Sequence, residues 1–564
     1  MSTSATRAPG AYRIALNRLR ESLGASGREL ACLGSILVLA AVLRLVSLPV
    51  RGGWDSDQGT EMLALRSALA SGHLPTFGPE AISVASSFHH GALYYDLLLP
   101  AAWLGGGDPT WVVGEIALLS LIVVPIVWWI ARSIAGPAAG LTAALLAAAS
   151  ASLIGYATFI WNPTLVEPGA AVAFLGAWQA LRAHRPAWWL VSAVGATVAV
   201  QAHIAAAVIV LPLALAFGLD LWRGPASRRV RICAWGLAGV GLFMASYAPV
   251  IVSELGHDFP EARGMLAYFR DPNSTGSIDP GLRLLFATIR ILAWPLTRWP
   301  MVDRQTASPV AFATAAAIII ALVWRLGVAG KRSAGPADAG SGGLVALDAV
   351  SAPAVSAPAL EGFGVRLIIA WLLLIILALG IGLHAVSEVQ VQELPTEQYH
   401  VVADPLVFVA VGLIVAGLWR PLSRSMGTVV RRMVAVVAIA ALLAWNVGHW
   451  PPLTAPDGGW PAAQAAATRL ERDAGSSPMA LVPLFESKGD DAYLYPLVRD
   501  GFTPVTPENA STVVLLCDSY WLEGCGGTAE ARWVAANATG RGLVLVESFT
   551  AAPYRILTVY RRAP

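Results

Sequence analysis

Hydrophobic residues in the first 450 positions fall into long runs that short polar segments separate. A membrane-spanning helix needs roughly 20 mainly apolar residues, and eleven runs fit that description. The predicted spans lie near 29–49, 110–132, 137–158, 163–182, 186–200, 203–221, 232–253, 308–327, 365–387, 400–419 and 430–448. The fifth and sixth form one apolar stretch, which we interpret as two passes because Gln201 and His203 interrupt it.

The charges between these runs predict how the chain is oriented in the membrane. With the N-terminus inside, every inner connection is basic, as the positive-inside rule requires; these residues are Arg132, Arg182, Arg185, Arg223, Arg228, Arg229, Arg231, Lys331, Arg332, Arg420, Arg424, Arg431 and Arg432. Acidic residues such as Asp55, Glu167 and Glu388 then lie outside. An odd number of spans predicts an extracytoplasmic C-terminus.

The segments that flank and join the spans suggest a domain plan. Residues 1–28 form a basic cytoplasmic N-terminus, and the run after them is too long for a signal peptide, so we expect an uncleaved span. Outer loops at 50–109 and 254–307 contain amphipathic stretches near 59–69 and 282–292, which we expect along the membrane surface. The inner segment 328–363 is rich in Ala, Gly, Ser and Pro, which is typical of a flexible loop.

Residues 451–564 change character. Short β-rich runs at 479–484, 512–516, 542–546 and 555–559 alternate with helix-like stretches at 461–474 and 528–536, which predicts a small α/β domain. Cys517 and Cys525 share one short loop, where an oxidising outer face favours a disulfide. Two free thiols are the alternative.

Composition agrees with a membrane protein. The chain is 56% hydrophobic and 13% charged, with a mean hydropathy of +0.62, whereas soluble domains carry about 25% charged residues. The net charge of +2 gives no field that would favour nucleic acid. We therefore expect a polytopic α-helical protein of the cell (plasma) membrane with a small extracytoplasmic α/β domain.

Two carboxylates lie just after the first predicted span. Asp55 and Asp57 are two residues apart and precede an amphipathic helix. Either could act as a general base toward an attacking hydroxyl, or the pair could bind a divalent cation through oxygen ligands. Alternatively, Asp57 is the N-cap of a helix that begins near Gln58. Spacing alone leaves these readings open, and no cofactor is clearly required.

Three segments carry a resemblance to a known family. Asp57 with Arg66 nine residues later, followed by Gly72 and Pro75, resembles the first outer loop of GT-C membrane glycosyltransferases, of the protein-O-mannosyltransferase or aminoarabinose-transferase type. The family has an Asp-Glu pair there, and Gln58 departs from it. The segments 88–103, with its two adjacent tyrosines, and 398–406 resemble two later family segments.

The resemblance implies a fold and a reaction. It implies a polyprenyl-phosphate-linked sugar as donor, a glycan, lipid or protein acceptor, and inversion at the sugar carbon by direct displacement on the outer face. Asp57 is the first choice as base and Asp55 the second. Cationic groups would balance the charge of the leaving phosphate; the outer-side candidates are Arg51, His89, His90, His203, Arg263, Arg270 and His400.

Other readings stay open at this stage. His203 fits an interhelical hydrogen bond as well as a donor-binding role. A lipid or solute transporter would place ionisable residues at mid-membrane depth and show internal repeats, whereas charges here cluster at the outer ends of the spans. A non-catalytic assembly factor with a GT-C-like fold is a third reading, which the departure at Gln58 makes conceivable.

Overall fold

The computed structural model describes most of the chain. The described residues are 24–82, 86–270, 280–298, 309–333, 357–382, 399–420, 425–475, 477–485, 489–519, 522–537 and 542–563. Most of the predicted N-terminal segment 1–28, the centre of the predicted loop 328–363 and part of the outer loop 254–307 lie outside these ranges.

Helices dominate the first 450 residues. From the first span to the middle of the chain they are α1 Gly27–Leu45, α2 Leu48–Arg51, α3 Ser56–Ser71, α4 Leu93–Leu104, α5 Pro109–Leu121, α6 Val123–Ala135, α7 Pro137–Ala149, α8 Ala151–Tyr156, α9 Val166–Ala183, α10 Trp188–Ala202 and α11 Val210–Arg223. They continue with α12 Ala226–Ser246, α13 Ala248–Gly256, α14 Pro260–Arg270, α15 Pro280–Thr297, α16 Pro309–Ser333, α17 Ala357–Leu377, α18 Asp404–Trp419 and α19 Ser425–Gly448. Short 3₁₀ turns span Asn162–Leu165, Ile204–Ile209 and Val401–Ala403.

Each of the eleven predicted spans overlaps with a helix in the described part of the chain. Six helical segments in the described part are long and apolar enough to cross a membrane: Pro109–Ala135, Ile204–Arg223, Pro309–Val328, Pro358–Ile381, Val401–Trp419 and Met426–Gly448. The pair α12 and α13 would make a seventh span, bent by 57°. The other predicted spans fall on shorter or more polar helices, namely α1, α7 with α8, α9 and α10. The polytopic helical architecture is confirmed.

Local sequence explains where these helices begin and how closely they pack. Asp108 accepts a hydrogen bond from the Thr110 amide at 2.8 Å and caps α5, which Pro109 begins. Helices α9 and α10 approach so closely that a Cβ on Gly176 would lie 2.3 Å from the Ser192 amide nitrogen. Small residues allow such close contact between membrane helices.

The two stretches expected along the membrane surface both lie in helices. The stretch 59–69 lies within α3, and 282–292 lies within α15, whose residues Ile289, Ile291 and Leu292 are buried in the helical bundle. Part of the apolar face of α15 therefore packs against protein, and the position of both helices along the membrane surface stays a prediction.

The C-terminal region is the predicted small α/β domain. It contains α20 Gly459–Ala474, β3 Met479–Pro483, α21 Asp491–Arg499, β4 Thr512–Asp518, α22 Thr528–Ala536, β5 Leu543–Ala552 and β6 Arg555–Arg562. The sheet order is β3-β4-β6-β5, with β3 and β4 parallel and the other pairs antiparallel. Cys517 and Cys525 form a disulfide. A second sheet, β1 Glu80–Ile82 with β2 Ser87–His89, lies in the first outer loop.

Candidate functional site

The start of α3 holds Asp55 in a fixed position. Asp55 is the N-cap residue: its carboxylate accepts a hydrogen bond from the Asp57 amide at 2.9 Å, and its own amide donates to Gln58 Oε1 at 2.9 Å. This reciprocal arrangement is a capping box. Gln58 Nε2 also donates to the Ile160 carbonyl at 2.7 Å. An ionised glutamate at position 58 could not donate that second hydrogen bond, so this contact explains why a glutamine occupies the position.

A cavity of about 510 Å³ opens beside Asp55. Its walls come from the segment that follows α1, from α8 and the loop after it, from the end of α15, and from the connection to the C-terminal domain. The lining residues are Arg51, Gly52, Gly53, Asp55, Gln58, Ser152, Gly155, Tyr156, Thr158, Phe159, Trp161, Trp294, Arg298, Pro451, Pro452 and Pro456. A cavity of this size is typical of small-molecule sites.

Two guanidinium groups line this cavity. Arg51 donates to the Leu43 and Pro451 carbonyls, at 2.5 and 3.2 Å, and Arg298 donates to the His449 carbonyl at 3.2 Å. Burial lowers the pKa of Arg51, and the positive charge of Arg298 lowers it further. Arg298 also has φ of +45°, which is a strained conformation for a residue with a side chain. Two cations that repel one another favour an anion between or beside them.

Three buried donors on the cavity wall have no hydrogen-bond partner among the described residues. They are Arg51 Nε, Ser152 Oγ and Trp294 Nε1, on residues that are at most 9% exposed. A buried donor that stays unpaired costs about 1–3 kcal/mol, so a small side-chain movement that brought these donors to acceptor oxygens in the cavity would be favourable.

Aromatic rings form the remaining part of the wall. The rings of Tyr156 and Trp161 are stacked with nearly parallel planes, at an angle of 4° and with 6.1 Å between centroids, and Phe159 stacks on Trp161 at 5.7 Å. The negative faces of such rings attract positively polarised edges and C–H groups. The cavity thus combines a carboxylate, two cations and an aromatic wall.

Asp57 is absent from the described lining of the cavity, although its neighbours Asp55 and Gln58 belong to it. Asp57 is exposed in the first turn of α3, whereas Asp55 is partly buried and lines the cavity. The assignment of Asp57 as base stays a prediction, and the geometry favours Asp55. The described residues contain no group of three or more His, Cys, Asp or Glu side chains that could hold a metal ion. The divalent-cation reading of the aspartate pair stays a prediction.

The candidate histidines form a separate cluster. The rings of His90 and His203 lie 4.8 Å apart, and His203 lies 5.2 Å from Tyr399. His89 Nδ1 lies 2.9 Å from Glu261 Oε1, so this ring is paired with a carboxylate. Burial lowers the pKa of His90 well below its usual range, with His203 and His89 as further causes. His90 is therefore neutral near pH 7 and offers hydrogen bonds without charge.

The other predicted cations are scattered. His400 is buried just before α18, and Arg263 and Arg270 are exposed on α14. The described lining of the cavity includes Arg51 but none of these three residues and none of the histidines. The structure therefore brings together Arg51 and Asp55 from the predicted set, and their roles stay predictions.

Solved structures provide the comparison that decides the fold. No family model and no curated protein matches this sequence. The crystal structure of ArnT from Cupriavidus metallidurans in the apo state is 13% identical, covers 94% of this chain and 98% of its own, and gives a TM-score of 0.55. The structure of ArnT from the same organism bound to undecaprenyl phosphate is 12% identical, covers 95% of this chain and 98% of its own, and gives a TM-score of 0.52. ArnT is a GT-C glycosyltransferase. The chain has the GT-C fold.

A third solved structure is less similar. Archaeal oligosaccharyltransferase AglB from Archaeoglobus fulgidus, in complex with an inhibitory peptide and a dolichol-phosphate, is 10% identical to this chain. It covers 95% of this chain and 74% of its own, with a TM-score of 0.48. The two ArnT structures confirm, at the level of the GT-C fold, the resemblance stated from the sequence.

Sequence reasoning missed part of the site that this GT-C fold assembles. Arg298 and Trp294 come from the end of α15, and Ser152 comes from α8. None of these residues belongs to a recognisable motif, because an isolated Ser or Trp in an apolar run resembles ordinary core or interface residues. A usable signal for Arg298 was its position in an outer loop of mostly apolar composition, the same criterion that selected Arg263 and Arg270.

Proposed function

We propose that this protein is a membrane glycosyltransferase that moves a sugar from a polyprenyl-phosphate donor to an acceptor hydroxyl on the extracytoplasmic face. The observation that supports it is the cavity beside Asp55, whose wall carries two cations and three unpartnered buried donors. ArnT, which has the same fold, has been solved with undecaprenyl phosphate, and the charge of such a lipid phosphate would complement Arg51 and Arg298.

In this proposal the reaction is a single displacement. The acceptor oxygen attacks the anomeric carbon while Asp55 takes the hydroxyl proton as general base. The bond between that carbon and the phosphate oxygen breaks, its electron pair stays on the phosphate, and the configuration inverts. Arg51 and Arg298 stabilise the negative charge that develops on the leaving polyprenyl phosphate.

The aromatic wall has a role in the same scheme. Tyr156, Phe159 and Trp161 provide flat apolar faces beside the cations, against which the C–H face of a sugar ring can pack. The donor phosphate would then lie toward Arg51 and Arg298, and the anomeric carbon between that phosphate and Asp55. The proposal leaves open which sugar and which acceptor are used.

The test is sugar transfer by the full-length protein in lipid nanodiscs, with a panel of labelled polyprenyl-phosphate sugars. Asp55→Asn removes the base but keeps the helix cap, because Asn is also a good N-cap. We expect kcat to fall by about 10²–10⁴-fold, the usual contribution of a general base, with little change in donor KM. Asp57→Asn is the matched variant.

The two aspartate variants separate the possible outcomes. Loss of transfer in Asp57→Asn with full transfer in Asp55→Asn would return the base to Asp57 and overturn the assignment made here. Full transfer in both variants would remove both carboxylates from the mechanism. Absence of transfer by the unaltered protein across the donor panel would contradict the glycosyltransferase itself.

A further inference from the structure

The C-terminal domain binds every hydrogen-bonding group of Trp54, the residue before Asp55. The Trp54 amide donates to Asp457 Oδ2 at 2.8 Å, and its indole Nε1 donates to the Ala492 carbonyl at 2.7 Å. Its carbonyl accepts a hydrogen bond from Arg555 Nη1 at 2.7 Å. Trp54 is itself buried, and its ring lies 4.6 Å from that of Trp460.

Arg555 occupies a charged position between the domain and the loop. It begins β6, directly opposite Asp518 at the end of β4, and its Nε lies 3.5 Å from Asp518 Oδ2. It also interacts electrostatically with Asp55. The Arg555 guanidinium thus links the C-terminal sheet to the Trp54 carbonyl by a hydrogen bond, and its charge attracts the carboxylate of Asp55, the candidate base.

The space around Arg555 excludes a substrate from this side. A gap of about 20 Å³ lies among Asp55, Ser56, Asp518 and Arg555, which is room for about one water molecule. Arg555 is absent from the described lining of the large cavity. Arg555 therefore lines only the small gap with Asp55, whereas the proposed sugar and phosphate would occupy the large cavity.

We propose that Arg555 is a positioning residue for sugar transfer, which holds the Trp54 carbonyl and the Asp55 carboxylate so that Asp55 faces the cavity. This inference rests on the proposed function. A misplacement of about 1 Å in a reacting group can lower a rate about 10²-fold. A charge-assisted hydrogen bond at the residue before the base is well placed to prevent such a displacement.

The test compares Arg555→Gln, Arg555→Lys and Arg561→Gln in the full-length protein in nanodiscs. Arg561 lies on the same strand, is exposed, and donates to the Asp473 carbonyl far from the loop, so Arg561→Gln is the matched control. We expect Arg555→Gln to lower kcat about 10–100-fold with donor KM changed less than twofold. Arg555→Lys should recover much of that loss because it keeps the charge, and Arg561→Gln should transfer sugar normally.

Hydrogen exchange gives a readout that does not depend on activity. Amides in the segment 53–60 should exchange at least tenfold faster in Arg555→Gln than in the unaltered protein, while the amides of β4 and β6 keep their protection. Unchanged exchange in 53–60 would overturn the positioning role, whatever the activity. A general loss of protection in the sheet would also overturn it, because Arg555 would then act through domain stability.

The two proposals fail in different ways. Faster exchange in 53–60 without transfer by the unaltered protein would keep the positioning of this loop and remove the proposed glycosyltransferase function. Transfer by the unaltered protein with equal kcat in Arg555→Gln would keep the function and overturn the role of Arg555.

Discussion

At the scale of single residues, Glu61 links the helix of the candidate base to its neighbour. It lies in α3, is 5% exposed, and forms a hydrogen bond with Tyr95 of α4. Burial raises the pKa of Glu61 well above its usual range, and the charge of Asp57 raises it further. Glu61 is therefore stabilised in its protonated form in the folded protein.

This shift predicts a pH dependence of stability. The contribution of Glu61 is complete below the ordinary carboxyl pKa and is lost as pH rises toward the raised value, by up to about 1.4 kcal/mol per pH unit. Glu61→Gln should remove that dependence, so its melting temperature should exceed that of the unaltered protein more at pH 8 than at pH 5. Thermal unfolding in detergent at both values measures it. An equal difference at the two values would contradict a protonated Glu61.

The residues around Asp55 show how far sequence reasoning reached at this scale. It selected Arg51, Asp55 and Asp57 because charges next to a membrane span are costly and tend to have a function. It ranked Asp57 above Asp55 from the family resemblance, and spacing alone did not show that Asp55 caps the helix while Asp57 is exposed. That choice depends on Gln58 and on the Ile160 carbonyl, about a hundred residues away in sequence.

At the scale of elements, Arg44 holds the end of α7 against α1. It is fully buried and donates to the Ala147 carbonyl at 3.1 Å, the Ala148 carbonyl at 3.0 Å and Ser120 Oγ at 3.1 Å. The last carbonyls of a helix have no partner within it, and lipid offers none. Arg44 therefore satisfies groups that would otherwise be unpaired.

Loss of this contact should destabilise the bundle. We expect Arg44→Met to lower the free energy of unfolding by at least about 3 kcal/mol, because several charge-assisted hydrogen bonds are lost together. Arg28→Met, at an exposed position on the same helix, is the control and should have little effect. Thermal unfolding of both variants in the same detergent measures the difference, and equal melting temperatures would contradict the role of Arg44.

Helices were the structural elements that the sequence predicted best. A run of apolar residues marks a helix whether it meets lipid or protein, so every predicted span overlaps with a helix in the described part of the chain. The burial of α15 was less predictable, because an amphipathic pattern records that one face is apolar and leaves open whether that face covers lipid or a neighbouring helix. The neighbours that bury α15 are distant in sequence and carry no local signal.

At the scale of the whole molecule, the disulfide supports the contact between the C-terminal domain and the first outer loop. Cys525 is bonded to Cys517, eight residues earlier in the sequence. Cys517 directly precedes Asp518, the ion-pair partner of Arg555. A small closed loop of this kind contributes roughly 2–3 kcal/mol to stability. The bond therefore stabilises the end of the strand that faces Asp55.

Removal of this disulfide should weaken the domain and its contact with the loop. Cys517→Ser with Cys525→Ser should lower the domain's unfolding free energy by roughly 2–3 kcal/mol and accelerate hydrogen exchange in 53–60. Cys32→Ser with Cys233→Ser, at two free and exposed cysteines, is the control. Exchange in 53–60 that equals the unaltered protein would contradict any link between the disulfide and the loop.

The sequence predicted the C-terminal α/β domain but not where it sits. Alternating short strands and helices are local signals, whereas the contacts of Trp54 join residues 403 to 501 positions apart. No periodicity relates such distant segments, and the domain could equally have been tethered loosely beyond the membrane part.

The hydrogen bonds between the C-terminal domain and Trp54 have a consequence for genetics. A random screen for alleles that abolish transfer should recover hits in two separate clusters, near codon 55 and between about codons 457 and 555. Nonsense mutations in the codons of β5, which remove β6, should behave as null alleles although the membrane helices are intact.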